Sequence, residues 1–293
     1  MVNYYELVKN NPEYFRQFTC NEVLFLNYDC PVKLKKVAKW SEHNYIYYVL
    51  SGRKSIHTPD RSVSLRAGSI AFIKKGACIV EQFYEEPFCI VVFIIPDSFI
   101  VSFLKNFIPR VETPGKSGNM IIPITTDELI QGFYYSILPF FTSSDKVPEA
   151  MIELKFRELL MHILNNPANS ELQQYFLQLK DQTSSPIQDI MEANYAYNLA
   201  IEDYARLCNR SVSSFKRDFQ SIYKTTPGRW LSEKKLERAK QLLTSTNSTV
   251  VDVSFESGFE NTAHFCRVFK QRTGITPLQY RKNVPEGVEL IHD

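Results

Sequence analysis

Residues 213–231, SSFKRDFQSIYKTTPGRWL, recur fifty positions later as residues 263–281, AHFCRVFKQRTGITPLQYR. Phe215 pairs with Phe265, and in both copies an arginine follows two residues later and a Thr-Pro step lies near the end. Two copies are too few for a solenoid, which needs about three stacked units to bury its faces. The repeat therefore predicts a tandem pair of small modules.

The first copy has the pattern of a helix-turn-helix. Residues 199–207 place apolar and polar side chains at helical spacing, which predicts a short amphipathic helix. Asn209 follows where a tight turn needs a left-handed residue, a conformation that asparagine tolerates. In the next helix Phe215, Phe219 and Ile222 have the spacing of a core stripe. The predicted exposed face then consists of Ser213, Ser214, Lys216, Arg217 and Gln220.

The second copy repeats this pattern, with Gly258 at the turn and one extra residue after the turn. Between the copies, Thr226 and Pro227 form a helix start, and a connecting helix is predicted to about Thr244. Roughly 18 residues at 1.5 Å each span about 27 Å, and successive major grooves on one face of DNA recur about every 34 Å. The predicted exposed face of the second copy consists of Asn261, Thr262, Ala263, His264, Cys266 and Arg267.

Positive charge is concentrated on the repeat region. Residues 206–282 carry 15 Lys and Arg against 6 Asp and Glu, a net charge of +9, whereas residues 1–205 carry 19 against 23. A basic segment releases counterions from a phosphate backbone, which is the main source of sequence-independent affinity for DNA. The charge distribution therefore favours double-stranded DNA as the partner of this region.

The second copy has a dense signature at Asp252, Gly258, Phe259, Phe265, Arg267, Phe269, Lys270, Gly274, Pro277, Tyr280 and Arg281. Through these positions, the C-terminal hundred residues resemble the DNA-binding domain of AraC/XylS-type bacterial transcription regulators. The resemblance implies that two recognition helices enter consecutive major grooves, and that Ser213, Lys216 and Arg217 read bases in the first copy. In the second copy it implies the same role for Thr262, Ala263, His264 and Arg267. Arginine can bond two acceptors of guanine, which suits Arg217 and Arg267, although each can also be a solvated surface residue or the partner of an acid.

The first part of the chain has a β-rich pattern. Short apolar runs over residues 23–95 predict about seven strands in a small barrel or sandwich. Residues 47–76 resemble the cupin-like sensor domain that is often joined to AraC-type DNA-binding domains. Cupin enzymes usually bind a metal through an HxH motif, and none of the five histidines forms one. We therefore expect no metal, no cofactor and no enzyme activity.

The predicted fold class is α+β, because helical patterns replace the strands after Thr125. The predicted parts are a cupin-like β-barrel over residues 1–125, a helical segment over 126–182, and an all-α domain over 183–293. The last part holds two helix-turn-helix motifs joined by a linker helix. Residues 182–186, QTSSP, are predicted to be the interdomain linker.

Small barrels can hold a ligand in their mouth. The alternative is that the aromatic side chains of this region simply fill the barrel. Lys39 belongs to a basic run that is predicted to be the solvated face of a strand. The candidate ligand-binding residues are Trp40, His43, Tyr45, Tyr47 and His57.

An apolar stripe at helical spacing follows the barrel. In the family that the chain resembles, helices at this point often pair subunits, so the stripe is hypothesised to form or support a homodimer interface. The alternative is a helix that packs on its own barrel. The stripe consists of Ile152, Phe156, Leu159, Leu160 and Ile163.

The chain shows no secretion-signal layout, and its longest apolar run is too short to cross a bilayer. Six scattered cysteines without a CxxC pair suit reduced thiols in a cytoplasm. The resulting prediction is a cytoplasmic transcription regulator, by resemblance an activator, with an unidentified small-molecule or protein effector and RNA polymerase as further partners. The alternatives are a cupin-type enzyme or ligand-binding protein with a basic nucleic-acid tether, and a nucleoid-type binder without a ligand.

Overall fold

The computed structural model describes residues 1–29, 35–59, 61–83, 87–109, 118–142, 147–180 and 186–283. The chain divides into two compact units, Met1–Ser185 and Pro186–Asp293. Apart from Pro186, the predicted linker lies outside the described residues.

The strands are β1 (Val2–Asn3), β2 (Arg16–Cys20), β3 (Val23–Asp29), β4 (Lys36–Ser41), β5 (Asn44–Ser51), β6 (Arg53–His57), β7 (Ser62–Arg66), β8 (Ile70–Ile73), β9 (Gly76–Gln82), β10 (Cys89–Ile95) and β11 (Ile121–Ile124). The helices are α1 (Tyr4–Lys9), α2 (Asp97–Phe103), α3 (Glu128–Ile137), α4 (Glu149–Asn165), α5 (Ser170–Lys180), α6 (Ile187–Asn194), α7 (Ile201–Leu207), α8 (Val212–Tyr223), α9 (Pro227–Ser245), α10 (Val250–Glu256), α11 (Thr262–Thr273) and α12 (Pro277–Asn283).

A six-stranded antiparallel sheet in the order β11-β8-β5-β10-β3-β2 forms the centre of the first unit. Its central strands are buried on both faces, which explains their continuous apolar sequence. In β5, Tyr45, Tyr47 and Val49 point into one core. The alternate residues Ile46 and Tyr48 point into a second core on the other face.

A five-stranded sheet in the order β1-β4-β9-β6-β7 contributes to the first of these cores. Ile56, Leu65 and Val80 of this sheet pack with the inward side chains of β5 and β10. The α+β class is therefore confirmed, since sheets build the first unit and helices build the second. Within residues 23–95 the structure describes eight strands. The additional one is β9, whose segment begins with the weak strand formers glycine and alanine.

Helices α2 to α5 contribute to the second core, on the opposite face of the six-stranded sheet. The apolar stripe of α4 lies in this core. The ring of Phe156 is 5.2 Å from the rings of both Phe25 and Phe93. The stripe thus packs on the sheet of its own unit, which is the alternative that the sequence left open, and its side chains are not an exposed surface. The buried members are Ile152, Phe156, Leu159, Leu160 and Ile163.

The second unit is built around α9. Thr226 caps this helix by accepting a hydrogen bond from the Arg229 backbone at 3.4 Å, and Pro227 occupies its first turn, as the sequence predicts. The assignment of Ile222 to the core is wrong, because this side chain is 42% exposed. Tyr223 instead packs the last turn of α8, with its ring 5.2 Å from that of Trp230.

Candidate nucleic-acid interface

The first helix-turn-helix consists of α7 and α8. Asn209 lies at the turn with φ of 53°, in the left-handed region that the sequence predicts for it. Ser211 caps the start of α8, because its hydroxyl accepts a hydrogen bond from the Ser214 backbone at 3.2 Å. Phe215 and Phe219 are fully buried, which fixes the rotation of α8 and turns its opposite side to solvent.

The second helix-turn-helix consists of α10 and α11. Gly258 holds the turn at φ of 91°, and Asn261 caps α11 by accepting hydrogen bonds from the Ala263 and His264 backbones at 2.8 and 3.1 Å. The turn residue and the cap are three positions apart here and two apart in the first copy. The extra residue predicted after the turn therefore lies between Gly258 and Asn261.

The predicted readers of the first copy lie on one side of α8. Ser213, Lys216 and Arg217 are exposed, and Ser214 is half-buried. The Arg217 side chain is 77% exposed, yet its Nε lies 3.2 Å from Asp218 Oδ1 and its Nη2 lies 3.3 Å from Ser214 Oγ. An acid thus holds this arginine along the helix surface. Sequence reasoning missed Asp218, although its place directly after Arg217 was a usable signal.

The predicted readers of the second copy lie on the first half of α11. Ala263, His264 and Arg267 are exposed, whereas Thr262 is half-buried. Within the part of the chain that the structure describes, the Arg267 side chain makes no hydrogen bond or ion pair. Because no acid among these residues engages its guanidinium, the side chain can present its donors to a ligand. The cap uses the Asn261 side-chain oxygen, which leaves the amide nitrogen as its donor group.

The electrostatics of the two recognition helices therefore differ. Asp218 accepts from both Arg217 and Arg210, with Arg210 Nε at 3.2 Å from Oδ2. The second copy has Val268 at the position of Asp218. One negative charge thus offsets the basic side chains of α8, and no acid occupies the equivalent place on α11.

Two of the candidate ligand residues of the first unit, Tyr45 and Tyr47, lie together with ring centroids 5.0 Å apart. Trp40, Tyr45 and Tyr47 are buried, and Tyr45 and Tyr47 belong to the core between the sheets. His57 lies on the five-stranded sheet with its ring nitrogens 2.7 Å from Ser62 Oγ and 3.0 Å from Glu81 Oε2.

His43, another candidate ligand residue, packs edge-on against Tyr5 with ring centroids 4.7 Å apart. Burial lowers the pKa of His43 below its ordinary value. The ligand role of these residues stays a prediction.

The prediction that Lys39 lies on the solvated face of a strand is wrong. This side chain is only 6% exposed, and its ammonium lies 3.7 Å from the centre of the Tyr4 ring and 4.8 Å from those of Tyr45 and Tyr47. It also donates to the Tyr47 hydroxyl. Aromatic faces attract a cation, so these rings stabilise the buried charge. The burial of Lys39 was not predicted, because the sequence of β4 has no alternation of polar and apolar residues that marks Lys39 as inward-facing.

The described ranges bring together no group of three His, Cys, Asp or Glu side chains able to hold a metal ion. Among the described helices, none has the length and apolar character needed to cross a membrane.

Two family comparisons cover most of the chain. Residues 44–175 match the ExsA N-terminal regulatory domain, and residues 204–283 match a helix-turn-helix domain. The first match spans β5 to α5, and the second spans the two helix-turn-helix motifs from within α7 to the end of α12. Each match therefore falls within one of the two compact units.

Individual proteins are similar over nearly the whole length. The virulence regulon transcriptional activator VirF of Yersinia enterocolitica is 24% identical over 89% of this chain and 96% of its own. The HTH-type transcriptional regulator ExsA of Pseudomonas aeruginosa is 25% identical over 82% of this chain and 87% of its own. Among solved structures, an apo form of ToxT from Vibrio cholerae covers 89% of this chain and 97% of its own at 12% identity, with a TM-score of 0.43.

Proposed function

Because the chain is a member of the AraC/XylS family of DNA-binding transcription regulators, we propose that it activates transcription after α8 and α11 enter two consecutive major grooves of duplex DNA. The observation that carries this proposal is the presence of two exposed recognition faces in one compact unit, joined by α9. This helix has 19 residues, which span about 28 Å at 1.5 Å each. That length is close to the roughly 34 Å between grooves on one face of DNA.

The two arginines take different roles in this proposal. Arg267 is exposed and unpaired within the described residues, so it reads a guanine through two parallel hydrogen bonds. Arg217 has to leave Asp218 and Ser214 before it can do the same.

The other predicted readers have chemistries of their own. Lys216 suits a phosphate, as a flexible point charge, and Ala263 suits the methyl group of a thymine. His264, Thr262 and Ser213 complete the polar contacts, and Asn261 contributes its amide nitrogen.

The first unit regulates the second in this proposal. A small molecule or protein effector that binds the first unit differently in two states shifts the population of the DNA-binding state. RNA polymerase is the proposed partner in activation, and the name of the Yersinia relative as a transcriptional activator supports this direction. The proposed location is the cytoplasm, where the DNA and the polymerase are.

A homodimer is also proposed, through the outer face of α4 rather than its buried stripe. Leu154 and Met151 of this face are 69% and 49% exposed. Phe156 is 1% exposed, so an aspartate there would unfold the first unit and could not test the interface.

The test is selection of binding sites from random duplex DNA by the full-length protein at two salt concentrations. The expected result is an enriched motif with two blocks about one helical turn apart, present in paired copies if the protein dimerises. If the protein instead binds without enriching a motif, and this binding is lost as the salt concentration rises, the basic region is an electrostatic anchor that does not read sequence.

A further inference from the structure

Lys235 lies in the middle of α9 and bonds to both helix-turn-helix copies. Its Nζ donates to Asn198 Oδ1 at 2.9 Å and to the Gly258 carbonyl oxygen at 2.7 Å. Asn198 lies in the segment that leads into α7, and Gly258 is the turn residue of the second copy. One side chain thus joins the linker helix to the start of the first motif and to the turn of the second.

The same two segments also touch directly. A Cβ atom at Gly258 would lie 2.5 Å from the Ala196 carbonyl oxygen, which is closer than real Cβ atoms approach. The turn of the second copy therefore lies against the backbone that precedes α7. Lys235 bonds across this junction from the side of α9.

A cavity of about 930 Å³ opens beside the junction. It is lined by Leu199 before α7, by Ser232 and Lys235 of α9, and by Asn261 and Arg267 of the second copy. The backbone contact at Gly258 prevents a closer approach of the two segments. The two hydrogen bonds of Lys235 oppose their separation, and hydrogen bonds from a charged donor are stronger than neutral ones. Burial lowers the pKa of Lys235, as expected for an ammonium group held among protein atoms rather than water.

We propose that Lys235 is a positioning residue that fixes the distance and angle between α8 and α11, and so sets the base-pair spacing between the two blocks of the target site. This inference rests on the proposed binding of both helices to one DNA duplex. One added base pair moves a block by about 3.4 Å and rotates it by about 34°. A rigid pair of recognition helices cannot follow such a change, whereas a pair without the Lys235 bonds can adjust to it.

The experiment measures binding of the full-length protein to its selected site and to two matched duplexes, one with a base pair added between the blocks and one with a base pair removed. The wild type is expected to lose about tenfold or more in affinity on each altered duplex, at least the effect of one mismatched base pair. The variant Lys235→Ala is expected to bind the three duplexes within about threefold of one another. Its base preferences inside each block are expected to stay unchanged, because every reader is still present.

Three further variants separate positioning from general stability. Asn198→Ala removes one acceptor from a half-buried loop and should relax the spacing preference partly. Lys235→Arg keeps a charged donor and should restore most of it. Lys240→Ala is the matched control and should behave as the wild type. Lys240 is half-buried five residues further along α9, and its side chain makes no hydrogen bond or ion pair with the described residues.

The outcomes are distinct. If Lys235→Ala and Asn198→Ala both keep the wild-type spacing preference, the inference is wrong, whatever happens to their melting temperatures. If the wild type selects no two-block site, the proposed two-groove function and the spacing role of Lys235 are both wrong.

Discussion

Gly258→Ala should destabilise the second unit by about 2 to 5 kcal/mol, the sum of two costs. The residue has φ of 91°, and a left-handed conformation costs a non-glycine residue about 1 to 2 kcal/mol. The new Cβ would also lie 2.5 Å from the Ala196 carbonyl oxygen and 2.8 Å from its carbon. These are backbone atoms that cannot rotate away, and overpacking of this kind costs about 1 to 3 kcal/mol.

Gly274→Ala is the matched control. Gly274 caps α11 with φ of 84°, and a Cβ there would meet nothing within 4 Å. The substitution at Gly274 therefore costs only the free energy of the left-handed backbone conformation, about 1 to 2 kcal/mol. The excess loss in Gly258→Ala isolates the contact between the turn and the segment before α7.

Denaturant unfolding of the full-length chain measures both losses. The chain has two tryptophans, and Trp40→Phe leaves Trp230 of the second unit as the only one. Midpoints are compared at unchanged slope, so that differences report stability alone. Equal losses for the two glycines would refute the reasoning, because the junction between the copies would then not resist an added methyl group.

Four further outcomes follow from the contacts described. Arg267→Ala should reduce the binding free energy on the specific site by about 1 to 3 kcal/mol and relax the preference at one base position. In competition binding, an equal loss of affinity for all sequences would instead identify Arg267 as a phosphate contact. Asp218→Asn should raise affinity for all duplexes about two- to threefold in titrations. With a phosphate taken to lie about 8 Å from the Asp218 carboxylate, the two negative charges repel by about 0.5 kcal/mol in water. Unchanged affinity would contradict this. The unfolding free energy of the first unit should fall as the pH drops below about 6.5. Burial lowers the pKa of His43 in the folded protein, so the unfolded chain binds a proton at this imidazole at a higher pH. His43→Phe should flatten this dependence of stability on pH, and an unaltered slope would assign the dependence to other groups. Leu154→Asp should keep the fold, since the side chain is 69% exposed, and should reduce the sedimenting particle from a dimer to a monomer. An unchanged dimer mass would exclude the outer face of α4 as the dimer interface.

Local patterns in the sequence predicted most of the second unit, apart from the positions of Ile222 and Asp218. The repeat predicted both helix-turn-helix motifs, and the left-handed turn residue and the Thr-Pro start of α9 were confirmed. Each depends on residues within one or two helical turns, where spacing carries the information. Asn209 and Lys224, at φ of 53° and 55°, even adopt the left-handed conformations of Gly258 and Gly274 in the other copy.

Features that depend on distant neighbours were not predictable. The stripe of α4 has the same period whether it covers a sheet or a second subunit, so the sequence left both open. Lys39 is buried because aromatic rings from α1 and β5 surround its ammonium, and nothing adjacent in sequence reveals that. Ile222 has the correct spacing for the core, yet the neighbouring α9 packs on Tyr223 instead.

The difference between the two recognition helices follows from one position in the repeat. Arg217 and Arg267 are equivalent by sequence, and spacing alone assigns them the same role. Asp218 pairs with Arg217 at 3.2 Å, whereas the second copy has Val268 at that place. Moving Arg217 onto a base costs the loss of this pair, and an exposed pair is worth about 0.2 to 1 kcal/mol. Base discrimination is therefore expected to be stronger in the block read by α11, while α8 contributes more through phosphate contacts.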